Sequence, residues 1–385
     1  MHGDVFVLDV ARTPLATAGT ALAEVLPSRL VAGLLRQLPA GDLCALVLAG
    51  DGSCEAVRHA LASSGRTARA SWLVQRGGIG AAEAIRQGVL QVAGDAGAAD
   101  GVCVVAGGYA TASRYRARGA LDMLAAVTHP QLPPRAAADL LAARHGLTVA
   151  ALDDWSERSR QAARAAQAQV QAQMRAQPQP VTDLNGLVIL ADDCVSDDCV
   201  GGTSAQTAAR MDEPADAWRV APRLAPCQRE LARLHTVNHV APQVDGAALV
   251  LLGCATAAER LRLRPRARLA ASVTLDAGPA QGFSAAHAAV RGALARAGWT
   301  AAQLDVLEIH DGFAAQALAA AHELSLPLDR INPLGGALVH GDAGAAAGAV
   351  SVGRLLSRLN EGTRGVAVAA DAAGHAVAFA LEGLA

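Results

Sequence analysis

The chain has 385 residues, 52% of them hydrophobic and 18% charged, with a formal net charge of −2 at pH 7. That length suits two domains or one duplicated unit with a large core. The absence of a basic surplus argues against a nucleic-acid binder, and an aromatic content of 3% argues against stacking platforms for bases or sugars.

The elements follow in chain order. The start, MHGDVFVLDVARTP, reads as a strand rather than a signal peptide. Residues 4–13 and 43–50 are buried strands with helical patterns between and after them. A helix is expected over 78–97, and a continuous apolar strand over 100–110, closed by Gly107 and Gly108. From about 115 to 235 the character changes, with a long helix through HGLTVAALDDWSERSRQAARAAQ, acidic early and arginine-rich late, as the helix dipole favours. Alternation then returns: strands at 245–253 and 266–276, a helix at 285–299, a strand running into a helix over 304–324, and closing strands from Gly362 onward. The stretch INPLGGALVHGDAGAAAGAV, from Ile331, reads as an extended run passing through paired glycines into a small-residue helix. Both ends of the chain repeat strand, glycine turn and small-residue helix, so a duplicated α/β fold follows.

No apolar run reaches the roughly 18 residues of a membrane helix. The seven cysteines are mostly isolated in apolar contexts and read as free thiols in a reducing compartment, so a cytoplasmic location is expected. Cys194 and Cys199 lack zinc-ribbon spacing and read as thiols on an acidic loop; no metal site is expected.

The ordered segments resemble the thiolase superfamily, which includes the acetyl-CoA acetyltransferases. DVARTP resembles the family's first strand and turn; VVAGGYATAS, the strand leading to its loop domain; VDGAALVLL, the strand after an Asp-Gly-Ala-Ala turn. EIHDGFAAQALA resembles the Asn-Glu-Ala-Phe block in its histidine-first form, as in trifunctional-enzyme and sterol-carrier-type thiolases. The Asn332 stretch resembles the Asn-x-x-Gly-Gly signature. The resemblance implies a five-layer α-β-α-β-α fold of two similar halves, with a loop domain at 116–235 inserted between 1–115 and 236–262, and the second half at 263–385. It also implies a tight dimer and a coenzyme A thioester as ligand, with no covalently bound cofactor.

Thiolase chemistry needs a cysteine nucleophile, a histidine that activates it, a second cysteine that moves a proton, and oxyanion holes. Carried onto this chain, the nucleophile's position falls on Gly77, or on Arg76 with a one-residue shift. The histidine's position falls on Asp342, followed by Ala343 in place of the usual proline, and the second cysteine's on Ala370. His340 precedes Asp342 by two places, about 6–7 Å away in an extended segment. His310 is the one group of catalytic type left in place, suited to holding a thioester oxygen or water, or else to satisfying a turn beside Asp311. Asp342 reads either as a replacement base or, preferentially, as a helix N-cap. His340 reads as a base or, preferentially, as a core histidine. Gly77, Gly78, Gly336 and Gly341 frame the expected thioester path. His239 could approach the coenzyme A arm, although a loop histidine is the plainer reading. The arginines of 158–175 suit coenzyme A phosphates or a solvated face equally; Tyr109 and Tyr115 suit packing.

Three functions are therefore in view. The first is a thioester-binding subunit, accessory or diverged, without cysteine-dependent Claisen or thiolysis chemistry. It would pair with itself, with an active thiolase-like chain or with a small partner domain, and its ligand would be an acyl-CoA or a carrier-protein thioester. The second is a cysteine-independent C–C lyase cleaving a 3-hydroxyacyl-CoA through His310 with Asp342 or His340. The third is acyl transfer by an unexpected nucleophile.

Overall fold

Alternate residues of single strands feed different cores, and this organises the molecule. A computed structural model describes residues 4–39, 43–50, 53–94, 102–109, 132–173, 180–182, 188–192 and 233–384. The first sheet contains β1 (Phe6–Arg12), β3 (Leu43–Ala49), β4 (Ala68–Val74), β5 (Val102–Tyr109) and β8 (Val244–Gly253), with the short β2 (Ala16–Thr17) also paired to β8. Its helices are α1 (Pro27–Gln37), α2 (Cys54–Ser64) and α3 (Gly80–Gly94). Helices α4 (Pro134–Arg144) and α5 (Val149–Gln173) and the small hairpin β6 (Val181–Thr182) and β7 (Val188–Ile189) come before β8. After α6 (Ala255–Leu261) come β9 (Ala267–Asp276), α7 (Ala285–Ala297), β10 (Val306–Ile309), α8 (Ala314–Leu324), α9 (Gly336–His340), α10 (Ala347–Leu356), β11 (Arg364–Ala370) and β12 (His375–Gly383).

The strand order is β4-β3-β5-β8-β1 continuing into β9-β12-β11-β10. From β1 outward the pairings run antiparallel, antiparallel, parallel, parallel. From β9 outward they run antiparallel, antiparallel, parallel, and a parallel bridge from Leu307 to Ile331 stands where a fifth strand would be. The repeated order is the duplication expected from the sequence. The two halves' sheets join edge to edge through β1 and β9, paired antiparallel at Phe6–Arg268 and Val7–Ala267.

In β3, Leu46 and Leu48 point to a cluster with Leu30 and Leu34 of α1, whereas Val47 and Ala49 point to a central cluster with Ile85 of α3 and Val352 of α10. In β12, Val377 and Phe379 join the same central cluster, and Ala376 and Ala378 face the opposite cluster, which includes Val290 of α7 and Leu324 of α8. This period-two division between two covered faces makes five layers: α1/α2, sheet, α3/α10, sheet, α7/α8. Each buried Leu or Val contributes roughly 1.5–3 kcal/mol. Small residues let the central helices approach: a Cβ on Gly348 of α10 would lie 2.6 Å from the Ala82 nitrogen of α3.

Three expectations are refined. The helix expected over 78–97 begins at Gly80, after a 3₁₀ turn at Gly77–Ile79. The helix expected through HGLTVAALDDWSERSRQAARAAQ begins at Val149, and Gly146, at φ +60°, stands between it and a preceding helix, α4. The run from Ile331 is not extended: Gly335 (φ +100°) and Gly336 (φ +64°) turn it into the short helix α9. Much of the 116–235 segment, with Cys194, Cys199, Tyr115, Arg175 and the Tyr109 side chain, lies outside the described residues. Among the described residues no helix is long and apolar enough to cross a membrane.

Candidate functional site

Strand β10 ends at Ile309 and is followed by His310 and Asp311, both buried. Asn332 closes that end like a strand edge: its Oδ1 accepts from Ile309 N–H at 2.8 Å and its Nδ2 donates to Ile309 O at 2.9 Å. Asp311 Oδ1 accepts from Ala337 N–H at 2.7 Å and so caps α9. A Cβ on Gly336 would fall on the Asp311 and Asn332 side chains, and one on Gly341 would fall on Val244. Packing therefore demands glycine at both positions, whatever lies beside them.

Gly341, at φ +90°, turns the chain out of α9 and delivers Asp342. The Asp342 backbone is stitched to the start of β8, its N–H donating to Pro242 O at 2.7 Å and its carbonyl accepting from Val244 N–H at 3.1 Å. This brings its carboxylate to His310, with Asp342 Oδ1 3.3 Å from His310 Nε2. Gly344 N–H donates to the same oxygen at 2.9 Å, and Gln243 Nε2 donates to Oδ2 at 2.9 Å. Burial by itself would raise the Asp342 pKa. The His310 charge and hydrogen bond, with those from Gln243 and Gly344, outweigh it and bring the pKa down to about 2. Asp342 is thus an ionised carboxylate at neutral pH. It also caps the turn at Gly344–Ala346, so the N-cap reading and the functional one are compatible. The other nitrogen of His310, Nδ1, is buried and has no hydrogen-bond partner among the described residues.

His340 does not join this pair. In the helical geometry of α9 its Nε2 donates to Leu334 O at 2.8 Å, and its Nδ1 faces Asp192 Oδ2 at 3.9 Å. Burial, reinforced by the Arg354 charge, lowers its pKa to about 4, so it is a neutral core histidine. The distance argument from an extended segment fails because the segment is coiled.

Asp192 was not singled out by sequence. It accepts both guanidinium branches of Arg12, at 2.6 and 2.8 Å, and Leu15 N–H at 2.9 Å, tying the segment after β7 to the end of β1. Glu308 was also missed; its Oε1 stands 2.7 Å from Arg354 Nε, and burial raises its pKa to about 7. A lone glutamate inside the apolar run VLEI was the available signal for a buried pair. Asp192, in a loop rich in acidic residues, offered none.

The turn Gly77–Ile79 packs against the Gly344–Ala346 turn and β11, the strand that Ala370 ends. Gly77 and Ala370 therefore lie on elements in contact, and Asp342 lies two residues before the turn that packs on Gly77. A Cβ on Gly77 or Gly78 would meet nothing within 4 Å, so these glycines border open space. His239 is fully buried with both nitrogens engaged: Nδ1 accepts from Thr236 N–H at 3.1 Å and Nε2 donates to Asp153 Oδ1 at 2.7 Å. It straps the segment before β8 to α5 and has no nitrogen free for a coenzyme A arm. Of the helix α5 arginines, Arg158 is exposed and Arg160 pairs with Glu157 at 3.1 Å.

The fold superposes on the dimeric peroxisomal thiolase of Saccharomyces cerevisiae with a TM-score of 0.82, at 19% identity over 99% of this chain and 97% of that one. The Acat5 thiolase of Ascaris suum, solved in complex with coenzyme A, gives a TM-score of 0.75 at 20% identity over 99% and 100%. Residues 263–383 match the thiolase C-terminal domain family. The chain thus has the thiolase fold, and its last third matches the thiolase C-terminal domain family.

Sequence similarity to acetyl-CoA acetyltransferases is local. An acetyl-CoA acetyltransferase of Allochromatium vinosum is 34% identical over 140 residues, 36% of each chain. The cytosolic acetyl-CoA acetyltransferase of Mus musculus is 36% identical over 140 residues, 36% of this chain and 35% of that one. The matched stretch thus spans little more than a third of the length of these relatives, while the thiolase fold extends over the whole chain.

Proposed function

We propose that this thiolase-fold protein binds an acyl-CoA-type thioester beside the His310–Asp342 pair and carries out no cysteine-dependent Claisen condensation or thiolysis, acting as an accessory or diverged subunit. The observation behind this reading is that Gly77 and Ala370, where the resemblance puts the two cysteines, lie on elements packed together, and that Asp342, where it puts the histidine, meets His310 two residues before the turn that packs on Gly77. Glycine and alanine carry no nucleophile, so no acyl-enzyme can form at those positions. The unfilled space at Gly77 and Gly78 suits a thioester arm passing that turn, and the buried His310 Nδ1, without a hydrogen-bond partner among the described residues, suits a polar group brought to it. The reading includes a cytoplasmic location and pairing with a second thiolase-like chain, as the yeast neighbour is dimeric. It also keeps the two halves with 116–235 inserted.

The pair itself favours a second reading, the C–C lyase. A carboxylate with a pKa of about 2 is a poor base, so the base would be His310 rather than Asp342. With Nε2–H directed to Asp342, Nδ1 holds the lone pair. It would take the hydroxyl proton of a 3-hydroxyacyl thioester. The C–C bond would then break, releasing a carbonyl compound and leaving the electron pair on a thioester enolate, which recovers the proton from His310.

The test is product analysis by mass spectrometry after incubating the purified chain with acyl-, 3-ketoacyl- and 3-hydroxyacyl-CoAs and free coenzyme A, with binding followed by calorimetry. Binding without turnover supports the first reading. An aldehyde or ketone released from a hydroxyacyl substrate supports the second. Shortening of a ketoacyl-CoA, or an acyl adduct on the intact protein, overturns both in favour of another nucleophile.

A further inference from the structure

Three histidines from three helices meet away from the His310–Asp342 pair. His145, at the C-terminal end of α4, has its Nδ1 3.2 Å from Nδ1 of His322 on α8. The ring of His287, from α7, stands edge-on to His145 with centroids 5.7 Å apart, and the His322 ring does the same at 5.5 Å. His287 is almost fully buried and its Nε2 has no hydrogen-bond partner, whereas His322 reaches solvent. The charged groups facing the cluster come from the same three helices: Arg144 on α4, Arg291 on α7 and Glu323 on α8. Glu323 Oε1 lies 3.8 Å from His145 Nε2, and Glu323 Oε2 is held by Arg291 at 2.8 Å.

A hydrogen bond between two Nδ1 atoms needs one proton on one of them. With one proton between them the bond exists, and a first added charge at the pair can be balanced by Glu323. With protons on both, two donors and two like charges face each other at 3.2 Å, and the bond is lost. His287 cannot share the load, because its unpartnered nitrogen sits in a dry environment that disfavours its charged form.

We propose that His145, His287 and His322 form an acid-released latch that holds α4 to α7 and α8 through one shared proton and lets go when both nitrogens of the His145–His322 pair are protonated. Burial, the leading cause in both cases, lowers the His145 pKa and brings that of His287 to about 4. A histidine whose folded pKa is depressed binds fewer protons than in the open state. The latch is therefore closed near neutral pH and loses stability as pH falls below about 6.5. Beyond His145 the chain continues into α5, whose Ser159 carbonyl and Ala163 leave room only for glycine at Gly335, so opening would loosen the packing that supports α9.

The test is hydrogen exchange by mass spectrometry on the whole chain between pH 7.5 and 5, with labelling times corrected for intrinsic exchange, comparing the wild type with His322→Gln. His322 is exposed, so the variant is expected to fold. In the wild type, peptides covering 141–149 and 318–324 should open about tenfold more per pH unit once one linked proton is taken up, while β11 and β12 stay protected. In His322→Gln the slope should flatten, since the glutamine amide oxygen can accept from His145 Nδ1 when that ring is protonated and so keeps the bond. His145→Gln should flatten it likewise. Equal slopes in wild type and variants, or no local opening above pH 5, overturn the latch.

Discussion

His310 Nε2 and Asp342 Oδ1 stand 3.3 Å apart, although one closes a strand of the second sheet and the other leaves a glycine turn after a short helix. Their meeting depends on Asp311 capping α9, on Gly341 turning the chain, and on the Pro242–Val244 backbone holding Asp342 in place.

Replacing Asp342 with Asn should destabilise the protein by roughly 2 kcal/mol at pH 7, the value of a pKa depressed from 3.8 to about 2. A depressed carboxylate pKa contributes stability that is fully present above the unfolded pKa and lost as pH falls through the folded one. The gap between wild type and Asp342→Asn in urea unfolding should accordingly narrow between pH 4 and 2. A gap that holds constant down to pH 2 would mean that the carboxylate charge does not matter.

His310→Ala removes the buried ring that faces Asp342 and carries the unpartnered Nδ1. Acyl-CoA affinity by calorimetry should fall about tenfold, the loss of one hydrogen bond to a polarised partner. Any lyase turnover should vanish, while far-ultraviolet circular dichroism stays unchanged. Unaltered affinity would put the thioester elsewhere.

A cysteine at position 77 tests the open space directly. Gly77 has φ +50°, so Gly77→Cys should cost about 1 kcal/mol in backbone strain, yet its Cβ meets nothing. The new thiol should be alkylated rapidly by iodoacetamide and protected by coenzyme A, read by intact mass. Thiolysis is not expected to return, because Asp342 and Ala370 also differ from what that chemistry needs. Alkylation indifferent to coenzyme A would count against a thioester path past this turn.

Gly341→Ala should be far more damaging than a surface change. At φ +90° the new methyl would be driven into Val244, and a loss of about 3 kcal/mol or more is expected in thermal or chemical unfolding. A loss below 1 kcal/mol would mean that the turn can re-form without glycine.

The fold was readable because its signals are local. Buried strands such as Leu43–Ala49 and Val244–Gly253 are largely apolar runs, and a glycine stands at the end of each, Gly50 and Gly253. The site was half readable. His310 and Asp342 could be named from motif position, but their contact crosses three chain segments, and no spacing rule encodes it. His340 and His239 looked available in sequence and are spoken for in the fold, by Leu334 O and by Asp153 with Thr236.

By itself, the sequence determined the alternation of strand and helix, the duplicated plan and the identity of the groups at Gly77, Asp342 and Ala370, because these depend on side-chain chemistry and short-range periodicity. Only the tertiary structure decided that α9 is coiled rather than extended, that Asp342 is an ionised partner of His310, and that Arg12 locks Asp192. Each of these follows from which distant backbone and side-chain groups share a dry space, where one hydrogen bond or charge outweighs local preference.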